Sequence, residues 1–238
     1  MSGFKGTNNS GIVLYRGDLT CDDAHAALLD ALIKMGTPFL GGTQTISLSQ
    51  QGNLGEFITL HVARTGPLLN TEKFAHNAIQ PLAAISGAGI DLMYVYFDPL
   101  SEAGDLLYIQ EVKTTLQNNL NLFGRLVDDT EKLFSVDINL TLQSRIQFLA
   151  NSFEIERNSD AHAERVIRLG AKAPKECKRV RLIPTGVHDA KVTDPVQKML
   201  AVRSSITAFG WDSNAIEPWA IALTDLEDRL LRLSRGQP

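Results

Sequence analysis

The sequence predicts an α/β protein in which a central mixed sheet is flanked by helices. Three observations carry this reading. Short β-rich runs and apolar stripes of helical period are interspersed along the whole chain. Two of the runs, residues 90–97 and 106–113, are joined by Asp98-Pro99-Leu100-Ser101-Glu102-Ala103-Gly104-Asp105, and that turn chemistry predicts an antiparallel pair. No Pro/Gly/Ser linker divides the 238 residues, so one compact unit is expected, with residues 1–50 as an N-terminal extension packed on a core of residues 51–238.

The elements follow in order. Ile12-Val13-Leu14-Tyr15 reads as a short strand. Thr20 with Asp23 forms a capping box for a helix through Leu28, Leu29, Leu32 and Ile33 that stops at Gly36. Residues 43–48 suggest a second short strand, and apolar residues at 54, 57, 58 and 62 a helix. After the 90–113 pair, Leu116, Leu120, Phe123, Val127 and Phe134 share one helical stripe, and Ile138, Leu142, Ile146, Leu149 and Phe153 another. Ser159 caps a third helix ending at Gly170, and residues 180–183 read as a strand. Asp194 before Pro195 predicts an N-cap and first helical position, with Gly210 as the stop. Residues 219–223 make a last strand, and Thr224 with Glu227 a capping box for a last helix through Leu230 and Leu233.

Composition narrows the function. The chain is 44% hydrophobic and 21% charged, which excludes disordered, collagen-like and rod-like proteins. No apolar run reaches the roughly 18–20 residues that span a membrane, and residues 1–6 have no apolar signal region. Cys21 and Cys177 lack metal spacing and are too few for a disulfide framework, so a reduced, cytoplasmic protein is expected. The net charge of −4 gives no bulk argument for nucleic acid. One stretch departs from it: Arg165, Arg168, Lys172, Lys175, Lys178, Arg179 and Arg181 form a candidate phosphate-contacting patch, a solvated face being the bland alternative.

The chemistry centres on the paired strands. Side chains alternate across a strand, so Glu111 and Lys113 share a face, about 6–7 Å apart, while Gln110 and Val112 point away. If the strands pair through the 98–105 loop, Asp91 and Glu111 meet at one end. Two converging carboxylates make a hard-oxygen pocket for Mg²⁺, or Mn²⁺, to which the Val112 carbonyl adds a neutral ligand. A metal there lowers the pKa of water and neutralises charge on a phosphate, and Lys113 orients the water or holds the phosphate. These are the parts of phosphodiester hydrolysis.

The pattern Asp91 … Glu111-Val112-Lys113 resembles the PD-(D/E)XK nuclease superfamily, with Ile90 standing where the proline would be. The resemblance implies a restriction-endonuclease-like core and a Mg²⁺-dependent nuclease acting on DNA. The superfamily's glutamate on the first core helix finds its match in Glu56, within Leu54-Gly55-Glu56-Phe57. Together with the Gly89-Ile90-Asp91 strand and the long helix behind Lys113, these motifs look like the nuclease subunit of the Hachiman anti-phage defence system. That family implies a helicase or translocase partner. A non-catalytic binding or assembly subunit on the same fold, or a ribonuclease, remains the alternative, and the apolar helices allow a homodimer.

Other candidates are weaker. Glu176-Cys177-Lys178 and Asp189-Ala190-Lys191 repeat the acid-x-Lys triplet without the strand–turn–strand context. His61, His76 and His162 lack zinc spacing. Gly87-Ala88-Gly89 leads into a strand, the wrong order for a phosphate loop, and no Walker motif is present. Gln143 and Gln147 are read as exposed helix positions, and Trp211 and Trp219 as core or interface anchors.

Overall fold

A computed structural model describes residues 4–9, 11–17, 26, 29–30, 46, 48–65, 73–74, 90–116, 121–132, 139–157, 159–170 and 178–237. Its elements are β1 (Phe4–Asn9), β2 (Ile12–Gly17), α1 (Leu48–Thr65), β3 (Lys73–Phe74), β4 (Leu92–Tyr96), β5 (Leu106–Thr115), α2 (Asn121–Lys132), α3 (Asn139–Arg157), α4 (Asp160–Gly170), β6 (Val180–Asp189), α5 (Pro195–Ala208), β7 (Trp219–Leu223) and α6 (Leu226–Ser234). The capping box at Thr20 and most of the helix expected up to Gly36 lie outside the described residues. Of the strand expected at 43–48, Leu48 instead begins α1.

The protein is α/β, with one seven-stranded sheet in the order β1-β2-β7-β6-β5-β4-β3. The inner pairs β2–β7, β7–β6 and β6–β5 are parallel. The outer pairs β1–β2, β5–β4 and β4–β3 are antiparallel. This is a central mixed sheet flanked by helices, as in a restriction-endonuclease-like core. The stretch expected as an N-terminal extension supplies two strands of the sheet itself. β2 lies beside β7, Val13 opposite Trp219.

Alternation along the strands builds two cores. Met93, Val95, Leu107 and Ile109 face α2, α3, α4 and α5, through Leu126, Leu149, Val166 and Met199 among others. Leu92, Tyr94, Tyr108 and Val112 face α1 and α6, through Phe57, Ile58, Leu230 and Leu233. Trp219 and Trp211 are core residues, 0% and 3% exposed. Burying a side chain of this size contributes roughly 1.5–3 kcal/mol, so both layers hold the sheet firmly. Among the described residues, no helix is long and apolar enough to cross a membrane.

The β4–β5 hairpin is pinned at both ends. At its turn, Ser101 caps a short 3₁₀ segment, Glu102–Gly104. Asp105, 1% exposed, accepts from the Asp98 amide at 2.9 Å and from Arg165 of α4. Within the hairpin, Tyr94 Oη donates to Gln110 Oε1 at 2.5 Å, and Gln110 Nε2 donates to Thr185 Oγ1 of β6 at 2.7 Å. A buried polar chain of this kind fixes the register of three strands, because a slip leaves its members unsatisfied.

Candidate active site

The register of β4 and β5 decides where the acidic groups meet. Leu92 pairs with Gln110. One step further it sets Asp91 opposite Glu111, and residues directly opposite share a face. That face is the one of Leu107 and Ile109, toward α2. Asp91, Glu111 and Lys113 therefore converge, as the alternation of the strand predicts.

The contacts are short. Lys113 Nζ donates to Glu111 Oε1 at 2.5 Å and lies 2.9 Å from Asp129 Oδ2 of α2. The Val112 amide donates to Asp91 Oδ2 at 2.6 Å. A strand residue presents its N–H and C=O to the same neighbour, so the Val112 carbonyl also faces past the start of β4. Glu111 is 5% exposed, and its Oε2 is buried without a hydrogen-bond partner.

Glu56, on α1 in the other layer, feels the charges of Asp91, Lys113 and Arg145. Its helix docks on the end of β5, where Gln51 Nε2 donates to the Thr114 carbonyl at 2.7 Å. A Cβ at Gly55 would stand 1.7 Å from Thr114 Oγ1, so glycine allows α1 to approach and carries Glu56 in with it.

Electrostatics mark the same four residues. Burial, and then the charge of Asp91, pushes Glu56 up to about 8, against the pull of Lys113 and Arg145. Burial raises Asp91 to about 6, although Lys113 and the Val112 amide oppose it. Glu111 is raised well above the usual carboxylate range by burial and by Asp91. Burial alone would lower Lys113, but Glu111 and Asp91 outweigh it and hold the ammonium charged. Carboxylates raised in this way want a positive partner.

The residues present suit a divalent cation. Glu111 Oε2 is an oxygen donor with nothing bonded to it, Asp91 repels Glu111, and both are hard donors. Among the described residues, no three His, Cys, Asp or Glu side chains gather into a metal-holding group. Two carboxylates match Mg²⁺ better than a full protein cage, since Mg²⁺ keeps waters and takes phosphate oxygens.

Two site residues escape sequence reasoning. Asp129 contacts Lys113, and Arg145 of α3 acts electrostatically on Glu56 and Asp91. A signal was available: Asp129 stands seven residues after buried Leu122 and three after buried Leu126, a charge on the apolar stripe.

The basic segment is placed differently from the cluster. Arg165 Nε donates to Asp105 Oδ2 at 2.9 Å, Nη2 also binds Asp105 Oδ1, and Nη2 donates to the Asp98 carbonyl at 3.0 Å. Arg168 pairs with Glu102 at 3.0 Å and Glu164 at 3.2 Å. Arg179 donates to the Glu102 carbonyl at 2.8 Å. These arginines hold the turn end of the hairpin, about 20 Å along β5 from Glu111. Lys178 is exposed, Arg181 folds back on the Lys178 carbonyl at 2.5 Å, and Lys172 and Lys175 lie outside the described residues.

The rival motifs have structural roles. Asp189 Oδ1 accepts from the Lys191 amide at 2.9 Å, and Oδ2 accepts from Leu226 at the start of α6 at 3.2 Å. Glu176 and Cys177 lie outside the described residues, as do His76 and Gly87 to Gly89. His162 stacks on Phe97 and bonds Ser159 at 2.8 Å, while Gln143 donates to the Gly170 carbonyl at 2.9 Å and Gln147 to Asn151 at 2.7 Å. The chain matches no known protein-family model and no curated protein.

Proposed function

We propose that this chain is a metal-dependent nuclease that hydrolyses DNA phosphodiester bonds at the Asp91–Glu111–Lys113 cluster. The observation that carries the reading is Glu111: a buried carboxylate, bonded on one oxygen to Lys113 and unpartnered on the other, directly across from Asp91. Asp91 and Glu111 would hold Mg²⁺ or Mn²⁺, with the Val112 carbonyl beside them and Glu56 assisting. When bound, such an ion lowers the pKa of water and neutralises charge building on a phosphate.

The chain's own residues do the remainder. Lys113 has three N–H donors, and Glu111 and Asp129 occupy two of them. The third serves a scissile phosphate or the attacking water. Asp91 fixes the Val112 peptide while presenting its carboxylate. Glu56, with its pKa near 8, is suited to hold a proton at neutral pH and to release it once a cation arrives.

The wider reading is an anti-phage effector run by a helicase or translocase. The need for such a partner is supported by charge: the chain is net −4, and Arg165, Arg168 and Arg179 are engaged by its own acidic or carbonyl groups. A nuclease with little surface to draw DNA from solution needs it delivered.

The test is cleavage of plasmid, linear DNA and RNA with Mg²⁺ or Mn²⁺, by the chain alone and with the product of the neighbouring gene. Loss of cutting in Glu111→Ala and Lys113→Ala, with the fold intact, supports the reading. Unchanged cutting in both removes the site, cutting of RNA alone makes it a ribonuclease, and DNA binding without cutting makes it an assembly subunit.

A further inference from the structure

We infer that Asp129, on α2, is a positioning residue that holds the Lys113 ammonium in place beside Glu111. The inference rests on the nuclease reading above and adds a residue to it.

A lysine is a point charge on a flexible four-carbon chain, and one contact does not fix it. Glu111 grips Nζ at 2.5 Å, but Glu111 is on the same strand, two residues back. A single partner there lets Nζ swing about the carboxylate. Asp129 supplies a second anchor from another layer, 2.9 Å from Nζ. The two anchors stand on different elements, so the ammonium is held between sheet and helix.

Asp129 is itself fixed. Its Oδ1 accepts from Lys132 Nζ at 2.9 Å, one turn along α2. It sits on the stripe that carries Leu122 and Leu126 into the core, so the helix cannot turn it away without unpacking those residues. The hydrogen bonds from Lys132 and Lys113 keep its carboxyl below the usual range, although partial burial opposes this.

The arrangement has a consequence for catalysis. A carboxylate at Glu111 that helped to hold a cation would be shared, and its hold on Lys113 would weaken. Asp129 then retains the ammonium at the site. Its loss should lower turnover while leaving DNA affinity alone, because Asp129 would act through Lys113.

Two measurements on the full chain test this. In the first, lysines are labelled with an acetylating reagent and read by peptide mass spectrometry, with Lys191, 82% exposed, as internal control. Lys113 should label slowly in the parent chain, severalfold faster in Asp129→Asn, and at an intermediate rate in Asp129→Glu. In the second, Asp129→Asn should lower kcat for DNA about 10- to 100-fold with KM within about twofold. Asp129→Glu should recover part of the loss, and Asp128→Asn, at an exposed position on the same helix, should cut like the parent.

Equal labelling of Lys113 in the parent and Asp129→Asn overturns the inference, as does unchanged kcat in that variant. A raised KM with normal kcat also overturns it, by showing that Asp129 acts on binding. A parent chain that cuts nothing, alone or with the product of the neighbouring gene, sinks the nuclease reading and the catalytic half of this inference, while labelling still decides the tie between the two residues.

Discussion

Asp91 Oδ2 accepts the amide hydrogen of Val112 at 2.6 Å, so one carboxylate both closes the end of the β4–β5 pair and faces Glu111 across it. The bond separates two functions that substitution can separate as well. Asp91→Asn keeps an acceptor for the amide and loses the charge. It should melt near the parent and lose cleavage by at least about 100-fold, as expected when charge stabilisation of the transition state is removed. Asp91→Ala should lose cleavage and also about 1–3 kcal/mol of stability, because the Val112 amide is left without its partner. Thermal melts beside cleavage rates check both.

The raised carboxylates fix the sign of the pH dependence. Glu56 moves from 4.5 to about 8, and Asp91 from 3.8 to about 6. The folded chain therefore binds more protons than the unfolded one in this window, and its stability should fall as pH rises from about 5 to about 8. In metal-free buffer the melting temperature should drop across that range. Glu56→Gln should flatten the upper part, and a melting temperature that climbs toward pH 8 would refute the assignment.

Metal binding should reverse this trend. Ligands must be deprotonated to bind, so Mg²⁺ or Mn²⁺ should raise the melting temperature more at pH 8 than at pH 6. Glu111→Ala should abolish the shift at both. Differential scanning fluorimetry with each metal reads it without any cleavage assay.

Gly55 gives a steric prediction. An alanine Cβ there meets Thr114 Oγ1 at 1.7 Å and Thr114 Cβ at 2.9 Å. Gly55→Ala should cost about 1–3 kcal/mol and depress cleavage by moving Glu56. Thr114→Ala removes the nearer contact and leaves the farther one, so the double variant should recover part of the loss and not all.

Arg165 serves the fold. Its partner Asp105 is 1% exposed, and breaking a buried pair by removing one member costs about 3–5 kcal/mol. Asp105→Ala should show that loss in denaturant unfolding. Arg165→Ala should also destabilise the chain while leaving the salt dependence of DNA binding near the parent's. A flattened salt slope without loss of stability would restore Arg165 to a DNA-contacting surface.

The parts legible in the sequence are those set by local chemistry. The 98–105 turn announced the hairpin, and the period of two placed Glu111 and Lys113 together. Distant meetings were not legible: Asp129 and Arg145 come from helices whose docking no local pattern encodes. Proline misled at β6. A proline argues against a central strand, so the expectation stopped at residue 183, yet β6 runs through Pro184 to Asp189. Pairing with β5 on one side and β7 on the other carries it through. Asp194 is the N-cap before Pro195, where local chemistry puts it, although its side chain makes no cap bond. The capping box expected at Thr224 and Glu227 is replaced: Asp225 is the N-cap, with a left-handed backbone, φ 51°, and Asp189 on β6 takes the first amide of α6.

The pairing of β2 with β7 also governs how the molecule is made. Val13 finds its neighbour only once Trp219, far along the chain, has been synthesised. Contacts of such long sequence separation slow folding, and the Asp91–Glu111 hairpin lies within the loop they close. During synthesis that hairpin is complete before β6 and β7 exist, so the sheet around the Asp91–Glu111 cluster closes late.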